Sequence, residues 1–358
     1  MDEKNRPEPQ DTAHHRRPRY SGTHPRQFHE KYKELNPEKY AEDVAHVMAR
    51  GATPAGMHIS IMVPEILDVL SIRPGEVGLD ATLGYGGHSR AMLERLQGQG
   101  HLYALDVDPI ESARTRERLA AQGYGEALLT VRLQNFAELD RVAAEIGRKF
   151  DFVLADLGVS SMQIDNPQRG FSFKAEGPLD LRLNPLAGVP ASERLKQLDR
   201  EELIGMLREN ADEPYAERIA AVMMQWRRKR RPLETTLQLR DCVAEALDFL
   251  PPGERREAVK KSCQRTAQAI RIDVNGEFEA LESLLRKLPE VLAPNGRVAI
   301  LTFHSGEDRM VKQAFRLHHR QGLYSAIAEE VGRPTAEECV RNSRARSAKL
   351  RWAIRAAD

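Results

Sequence analysis

The chain has 358 residues, of which 41% are hydrophobic and 30% charged, an ordinary globular balance with room for more than one domain. No apolar run approaches the roughly 20 residues that cross a bilayer, and the polar N-terminus carries no apolar signal core, so no membrane partner is expected. A net charge of +1 leaves any nucleic-acid surface to local patches, and the three cysteines, Cys242, Cys263 and Cys339, form no metal-type pair and suit a reduced, cytoplasmic setting.

Residues 1–50 read as a basic arm, disordered over 1–20 and docked on the body over 27–50. Between His14 and Lys33, six Lys or Arg stand against one Glu, with Tyr20, Phe28 and Tyr32 among them. Aromatic rings among cations suit RNA, through stacking and phosphate contact, although a solvated tail has the same composition. His14, His15, His24 and His29 have no ligand-like partners, so no metal site is expected.

The body begins near Gly56-Met-His58, and a first helix runs through Leu70 until Arg73-Pro-Gly75 ends it. Val77 to Leu83 is apolar enough for a buried strand. Gly84, Gly86 and Gly87 follow, then Ala91, Met92, Leu93 and Leu96 at helical spacing. Strand, glycine turn and helix open a doubly wound α/β sheet, with the helix amides aimed at a partly negative group. His101 to Asp108 reads as the second strand, with Pro109 in the first turn of the next helix. Asp106 lies about twenty residues past the glycines, where a carboxylate can hold ribose hydroxyls. A dinucleotide fingerprint would carry glycine where Ser89 stands, and Asp80 before the turn would repel a pyrophosphate. Asp80 suits instead a nucleoside ligand bearing an amino group, such as S-adenosylmethionine. A plain tight turn explains the glycines taken alone.

Ala127 to Phe136 is the third strand, Leu139 to Ile146 the third helix, and Phe150 to Gly158 the fourth strand. The apolar run of that strand stops at Asp156, at the edge where open α/β sheets bind ligands. A buried structural carboxylate is the other reading. The alternation then breaks. Val159 to Asp165 reads as a loop, Arg169 to Phe173 and Gly177 to Arg182 as ordered loop, and Glu193 to about Leu250 as helices only. Residues 165–269 are therefore expected to form an inserted helical domain between two parts, 51–164 and 270–358, of the sheet domain. Within it stands a run of five cations, Arg227, Arg228, Lys229, Arg230 and Arg231, beside Trp226. A solvated helix end or an RNA phosphate contact accounts for such a run. The sheet rhythm returns with a helix over Glu277 to Leu292, a turn at Pro294-Asn-Gly296, a fifth strand over Arg297 to His304 and a helix over Glu307 to Leu317. The end of the chain alternates like a closing antiparallel strand, and Arg344, Arg346 and Lys349 make a second candidate phosphate surface.

Five motifs taken together are specific. In order, Asp80-Ala-Thr-Leu-Gly-Tyr-Gly-Gly-His-Ser89, Asp156-Leu-Gly-Val-Ser-Ser161, Arg169-Gly-Phe-Ser-Phe173, Phe303-His-Ser-Gly-Glu-Asp-Arg309 and Arg344-Ala-Arg-Ser-Ala-Lys-Leu-Arg351 resemble the bacterial MraW (RsmH) family, over about Met57 to Arg351. The resemblance implies a class I methyltransferase, Rossmann-like sheet with a helical insert. It implies transfer of a methyl group from S-adenosylmethionine to the N4 amine of a cytidine in the decoding region of 16S ribosomal RNA, within an assembled or partly assembled small subunit. It carries donor contacts onto Gly86, Gly87, His88, Asp106, Phe136, Asp156 and Gln163. The residues alone indicate the glycines, Asp106 and Asp156, whereas Phe136 and Gln163 rest on the resemblance. The sequence departs from the family where Leu181-Arg-Leu-Asn-Pro185 replaces a usual Met-Arg-Met-Asp-Pro. It also has Ala267 for Phe, Gly306 for Leu and Ser343 for Pro, and the basic arm is extra. These departures fall mainly on the substrate side and mark a divergent branch.

For chemistry, Asp156 or the carbonyls of Leu157 to Val159 could accept the N–H bonds of the target amine. His304 is a second candidate, as base or RNA contact, against a structural hydrogen bond. Two other classes compete: a non-catalytic RNA-binding assembly factor, and a nicotinamide-dependent oxidoreductase disfavoured by Ser89 and Asp80. A methyltransferase on another RNA also fits. The oligomeric state is not legible.

Overall fold

The computed structural model describes residues 60–357, so the arm expected over 1–50 lies outside the described residues. The first half follows the predicted βα rhythm. Helix α1 (Val63–Leu70) precedes β1 (Val77–Asp80), α2 (Gly87–Leu96), β2 (His101–Asp106), α3 (Pro109–Ala121), β3 (Leu129–Leu133), α4 (Leu139–Ile146) and β4 (Phe150–Asp156). The strands end earlier than their apolar runs suggest, for local reasons. At Asp80 the side chain accepts the Thr82 N–H at 3.1 Å, which turns the chain out of β1. Past Asp106, Asp108 caps α3 by accepting the Ile110 and Glu111 N–H groups at 3.0 and 3.2 Å.

After β4 the expected loop is instead a short helix, α5 (Ser161–Asp165). Ser160 and Gln163 form a reciprocal capping box, which satisfies two backbone N–H groups and sets the helix start. Then come α6 (Ala191–Gln197), α7 (Arg200–Ala211), α8 (Ala216–Arg228), α9 (Thr236–Ala246) and the 24-residue α10 (Pro252–Asn275). No named strand lies between β4 and the end of α10, although Pro178 and Thr235 form one isolated antiparallel bridge. The buried side chains of this stretch gather around Leu179, Leu207, Ile219, Trp226, Leu239 and Ile270 in a cluster of their own.

Helix α11 (Glu277–Val291), β5 (Leu292–Thr302), α12 (Ser305–Arg320), β6 (Tyr324–Ile327), α13 (Ala336–Arg341) and β7 (Lys349–Arg355) complete the chain. The Pro294-Asn-Gly296 turn lies inside β5: pairing with β4 jumps from Phe150↔Leu292 to Phe152↔Arg297 across it. β6 was not legible in the sequence, whereas β7 is the closing antiparallel strand. The sheet order is β3-β2-β1-β4-β5-β7-β6. Pairings among β1 to β5 are parallel, and β7 runs antiparallel to both β5 and β6. This is the expected doubly wound, mostly parallel sheet.

Both faces of the sheet are covered, and successive residues serve opposite faces. Val153, Ala155, Val298 and Ile300 face one core with Leu281, Leu284 and Leu288 of α11. Phe152, Leu154, Ala299 and Leu301 face the other, with Ile66 and Leu70 of α1 and Met92 and Leu96 of α2. The order reverses beside β1, between β1 and β4, so their carboxyl ends open a crevice of the kind that holds ligands in such sheets.

Candidate active site at the carboxyl edge of the sheet

Asp80, Asp106 and Asp156 are the last residues of β1, β2 and β4, three strands that lie side by side. A cavity of about 580 Å³ opens over this edge. Gly86, Gly87, His88, Asp106, Phe136, Asp156, Gln163 and His304 all line it, so every residue expected in the donor and catalytic set comes to one place. So does Arg344, whereas Arg227 to Arg231 do not.

The glycine turn is braced from α3. Thr115 Oγ1 donates to the Gly84 carbonyl at 2.7 Å, and the Arg118 guanidinium donates to the Tyr85 carbonyl at 2.7 Å while stacking 3.6 Å over the Tyr85 ring. Gly86 has φ +79°, and a Cβ there would sit 2.7 Å from Thr115 Cγ2. Both conformation and space therefore demand glycine.

The carboxylates differ in role. Asp80 is fully buried and does not line the cavity; its oxygens accept from Ser89 Oγ at 2.6 Å and the Thr82 N–H. The expectation that Asp80 itself meets a ligand amine is therefore corrected: it anchors the turn. The serine that breaks the dinucleotide fingerprint is its partner. Burial pushes the Asp80 carboxyl above its usual range, against the Ser89 bond. Asp106 accepts the Gly84 N–H at 2.7 Å and the Asp108 N–H at 2.8 Å. Burial raises it to about 6, those two N–H groups oppose the rise, and the charges of Asp108 and Asp80 add to it. Asp156 stands beside His88, with its Oδ2 3.4 Å from Nδ1 of the imidazole, and its backbone N–H donates to Thr82 Oγ1 at 2.7 Å.

The far wall joins the helical stretch to the sheet. Arg271 makes a two-pronged ion pair with Glu277, both bonds 2.8 Å. His304 caps α12, its Nδ1 accepting the Glu307 N–H at 3.4 Å, and its Nε2 lies 3.1 Å from Glu307 Oε1. Burial would raise the Glu307 carboxyl, but His304, the Phe303 N–H and Arg271 together hold it below the usual range. Phe278 packs on the His304 ring at 5.8 Å, and its Cζ lies 2.8 Å from where a Cβ on Gly306 would stand. Any larger residue at 306 would displace that ring.

A family model described as the MraW methylase family matches residues 55–356. The chain belongs to that family. It is 59% identical to ribosomal RNA small subunit methyltransferase H 1 of Agathobacter rectalis, over 97% of this chain and 99% of that one. It is 60% identical to the protein of the same name from Lachnoclostridium phytofermentans, over 98% and 95%. The ribosomal RNA small subunit methyltransferase H of Koribacter versatilis is 40% identical over 83% of this chain and 94% of its own length. The first two alignments span nearly the whole chain, whereas the third leaves about a sixth of it unmatched.

The site of this MraW-family chain suits S-adenosylmethionine chemically. Its carboxyl edge gathers acidic groups, which favours a cationic sulfonium over a pyrophosphate. Asp106 lines the cavity. Gln163 is otherwise engaged: its Nε2 donates to Asp108 Oδ2 at 2.9 Å and its Oε1 accepts the Ser160 N–H at 2.9 Å.

Asp108, which the sequence did not single out, is fully buried and also accepts from Arg169 Nη1 at 2.7 Å. Arg169 reaches on to the carbonyls of Arg182 and Leu183 at 3.2 and 2.8 Å. This buried pair ties the end of β2 to the segment that opens the helical stretch. The Asp-Pro pair at a helix start was its only sequence signal.

The two basic surfaces are partly consumed by the fold. Arg227 donates to the carbonyls of Lys196 and Leu198, and Arg231 stacks on Trp226 and pairs with Glu245. Arg228, Lys229 and Arg230 are exposed. Arg344 pairs with Asp165 and Lys349 with Asp308, while Arg346 is exposed.

Proposed function

We propose that this chain methylates the N4 amine of a cytidine in the decoding region of 16S ribosomal RNA, with S-adenosylmethionine as methyl donor. The observation that carries the reading is a cavity at the carboxyl edge that gathers the family's expected donor residues beside Asp156 and extends to a wall of Phe303, His304 and the Arg271–Glu277 pair. Family membership and the names of the relatives support the class of substrate.

The donor, when bound, supplies a methyl group on a positively charged sulfur. The chain's part is to align and dehydrate the reactants, which can account for much of the rate. Asp106 holds the ribose hydroxyls. A cytosine amine is a poor nucleophile because its lone pair is conjugated with the ring. Asp156, at the end of β4, accepts an N–H of that amine and so favours a pyramidal nitrogen. The amine's lone pair forms the new N–C bond, the sulfur keeps the electrons of the broken S–C bond, and the surplus N–H proton passes to Asp156. The nitrogen becomes positively charged as the N–C bond forms, which makes its N–H acidic, so Asp156 need not be a strong base.

The target base must leave its stack to enter the cavity, which favours a single-stranded region of a small subunit at some stage of assembly. In this reading residues 165–269 form a substrate-recognition domain inserted between 51–164 and 270–358, and Arg228, Lys229, Arg230 and Arg346 contact RNA phosphates. Among the described residues no helix is long and apolar enough to cross a membrane. Action on ribosomal RNA puts the protein in the cytoplasm. Deleting the gene and mapping methylated cytidines by mass spectrometry tests the proposal. An unchanged small-subunit methylation pattern, with purified protein inactive on small subunits from the deletion strain, overturns it.

A further inference from the structure

His88 presents a proton-counting problem. Its Nε2 lies 2.9 Å from the carbonyl oxygen of Ile61, which can only accept, so Nε2 carries a hydrogen. Its Nδ1 faces Asp156 Oδ2 at 3.4 Å. A neutral imidazole protonated on Nε2 would set a lone pair against the carboxylate. The ring is only 7% exposed, so water does not relieve that opposition. A second hydrogen on Nδ1 does. Among the described residues, the other Asp156 oxygen, Oδ1, is buried without a hydrogen-bond partner, and Asp156 lines the cavity.

We propose that His88 is a positioning residue for the transfer step, an imidazolium that donates to the Ile61 carbonyl and to Asp156 Oδ2. It thereby fixes the orientation of the Asp156 carboxylate at the edge of the cavity. This rests on the proposed methyl transfer and gives His88 a role other than contacting the donor. The charged groups facing the ring are Asp156 on β4 and Asp80 on β1. Burial by itself would lower the imidazole pKa, but the Asp156 bond, the Ile61 carbonyl and the Asp80 charge together raise it. The imidazolium is therefore kept up to a higher pH than an ordinary histidine would allow, and is lost as pH rises through the folded-state value.

The test begins with ligand-free protein. Nitrogen-detected NMR of the imidazole, assigned by the signal missing from His88→Asn, should show hydrogens on both ring nitrogens at neutral pH. In Asp156→Asn the His88 pKa should fall by about one unit or more. A single ring hydrogen, or a pKa indifferent to Asp156, overturns the proposal whatever the enzyme's activity. On small subunits, His88→Leu should lower kcat about 100-fold through misplacement of Asp156, with the donor Kd changed less than about threefold. His88→Asn puts an amide N–H near the Nδ1 position; it should recover much of that loss and abolish the fall in kcat at high pH. A donor Kd weakened as much as kcat, or a high-pH limb that persists in His88→Asn, overturns it. Should His88→Leu not fold, the Asn variant and the NMR titration still decide. Imidazolium signals in a protein that methylates nothing would sink the functional reading instead.

Discussion

Asp106 offers the sharpest test of how the donor is held. Its two oxygens each accept one backbone N–H, from Gly84 and Asp108, at 2.7 and 2.8 Å. Burial nevertheless raises its pKa to about 6. Ribose hydroxyls bind the ionised form, so donor affinity should hold near neutral pH and fall about tenfold per unit once pH drops below that value. Asp106→Asn removes the charge. Hydrogen bonds to charged groups contribute about 1.5–3 kcal/mol, so the donor should bind roughly 10- to 150-fold more weakly. The amide also has a single oxygen for two N–H groups, which costs about 1–3 kcal/mol of unpaired donor in the free protein. Because the folded pKa is raised, Asp106 contributes stability that is present at low pH and is lost as pH rises through about 6. The same group should thus lower the stability of the ligand-free protein over that interval while strengthening donor binding. Calorimetric titration across the interval reads the affinity, and thermal melts read the stability. An Asn variant within twofold of wild type, or a flat affinity through the interval, would falsify the ribose assignment.

Asp156→Ala should keep RNA binding and, at saturating donor, lose about 100- to 10,000-fold in kcat, measured by single-turnover methylation; full turnover would remove Asp156 from the chemistry. Arg169→Met leaves Asp108 buried without its cation and should cost about 3–5 kcal/mol by urea unfolding, whereas a change below about 1 kcal/mol would mean that the pair is not formed. Neutralising Arg228, Lys229 and Arg230 together should weaken RNA binding and flatten its dependence on salt. Neutralising the fold-bound Arg227 and Arg231 should instead lower stability, and an unchanged salt slope in the first variant would take the run out of the interface.

The sheet was legible because each strand of its first half is an apolar run ended by a turn signal, and because helical spacing resumes at once after each. The ends of the strands were less legible. The same alternation continues past Asp80 and Asp106, and only the side-chain bonds to Thr82 and the cap at Asp108 stop the pairing. Helix α5 was missed although Ser160 and Gln163 have capping-box spacing, since five residues carry no periodicity. β6 was missed because Tyr324 to Ile327 is too short to alternate visibly. The glycines, Asp106 and Asp156 could be read because a doubly wound sheet puts its ligands at one edge. The Gln163 and Arg169 partners of Asp108 could not, since those contacts join residues 55 and 61 positions apart in the chain.

Three adjacent strands ending in aspartate bring like charges to one edge, where they oppose one another. Asp106 feels the charge of Asp80, and Asp80 feels that of Asp156. Each is relieved differently. Asp80 is sealed against Ser89 and serves structure, Asp106 leans on two backbone N–H groups, and Asp156 faces His88. What remains at the cavity is two carboxylates, Asp106 and Asp156, able to meet a cationic ligand there. Such an edge stabilises a cationic donor before transfer. Its attraction then fades, because the donor leaves as a neutral sulfide. The arrangement should therefore bind the spent donor more weakly than the charged one, and neutralising Asp156 should narrow that gap. Competitive calorimetry with S-adenosylmethionine and S-adenosylhomocysteine reads the difference directly. A gap of the same size in wild type and Asp156→Asn would show that the charge of Asp156 does not act on the sulfur.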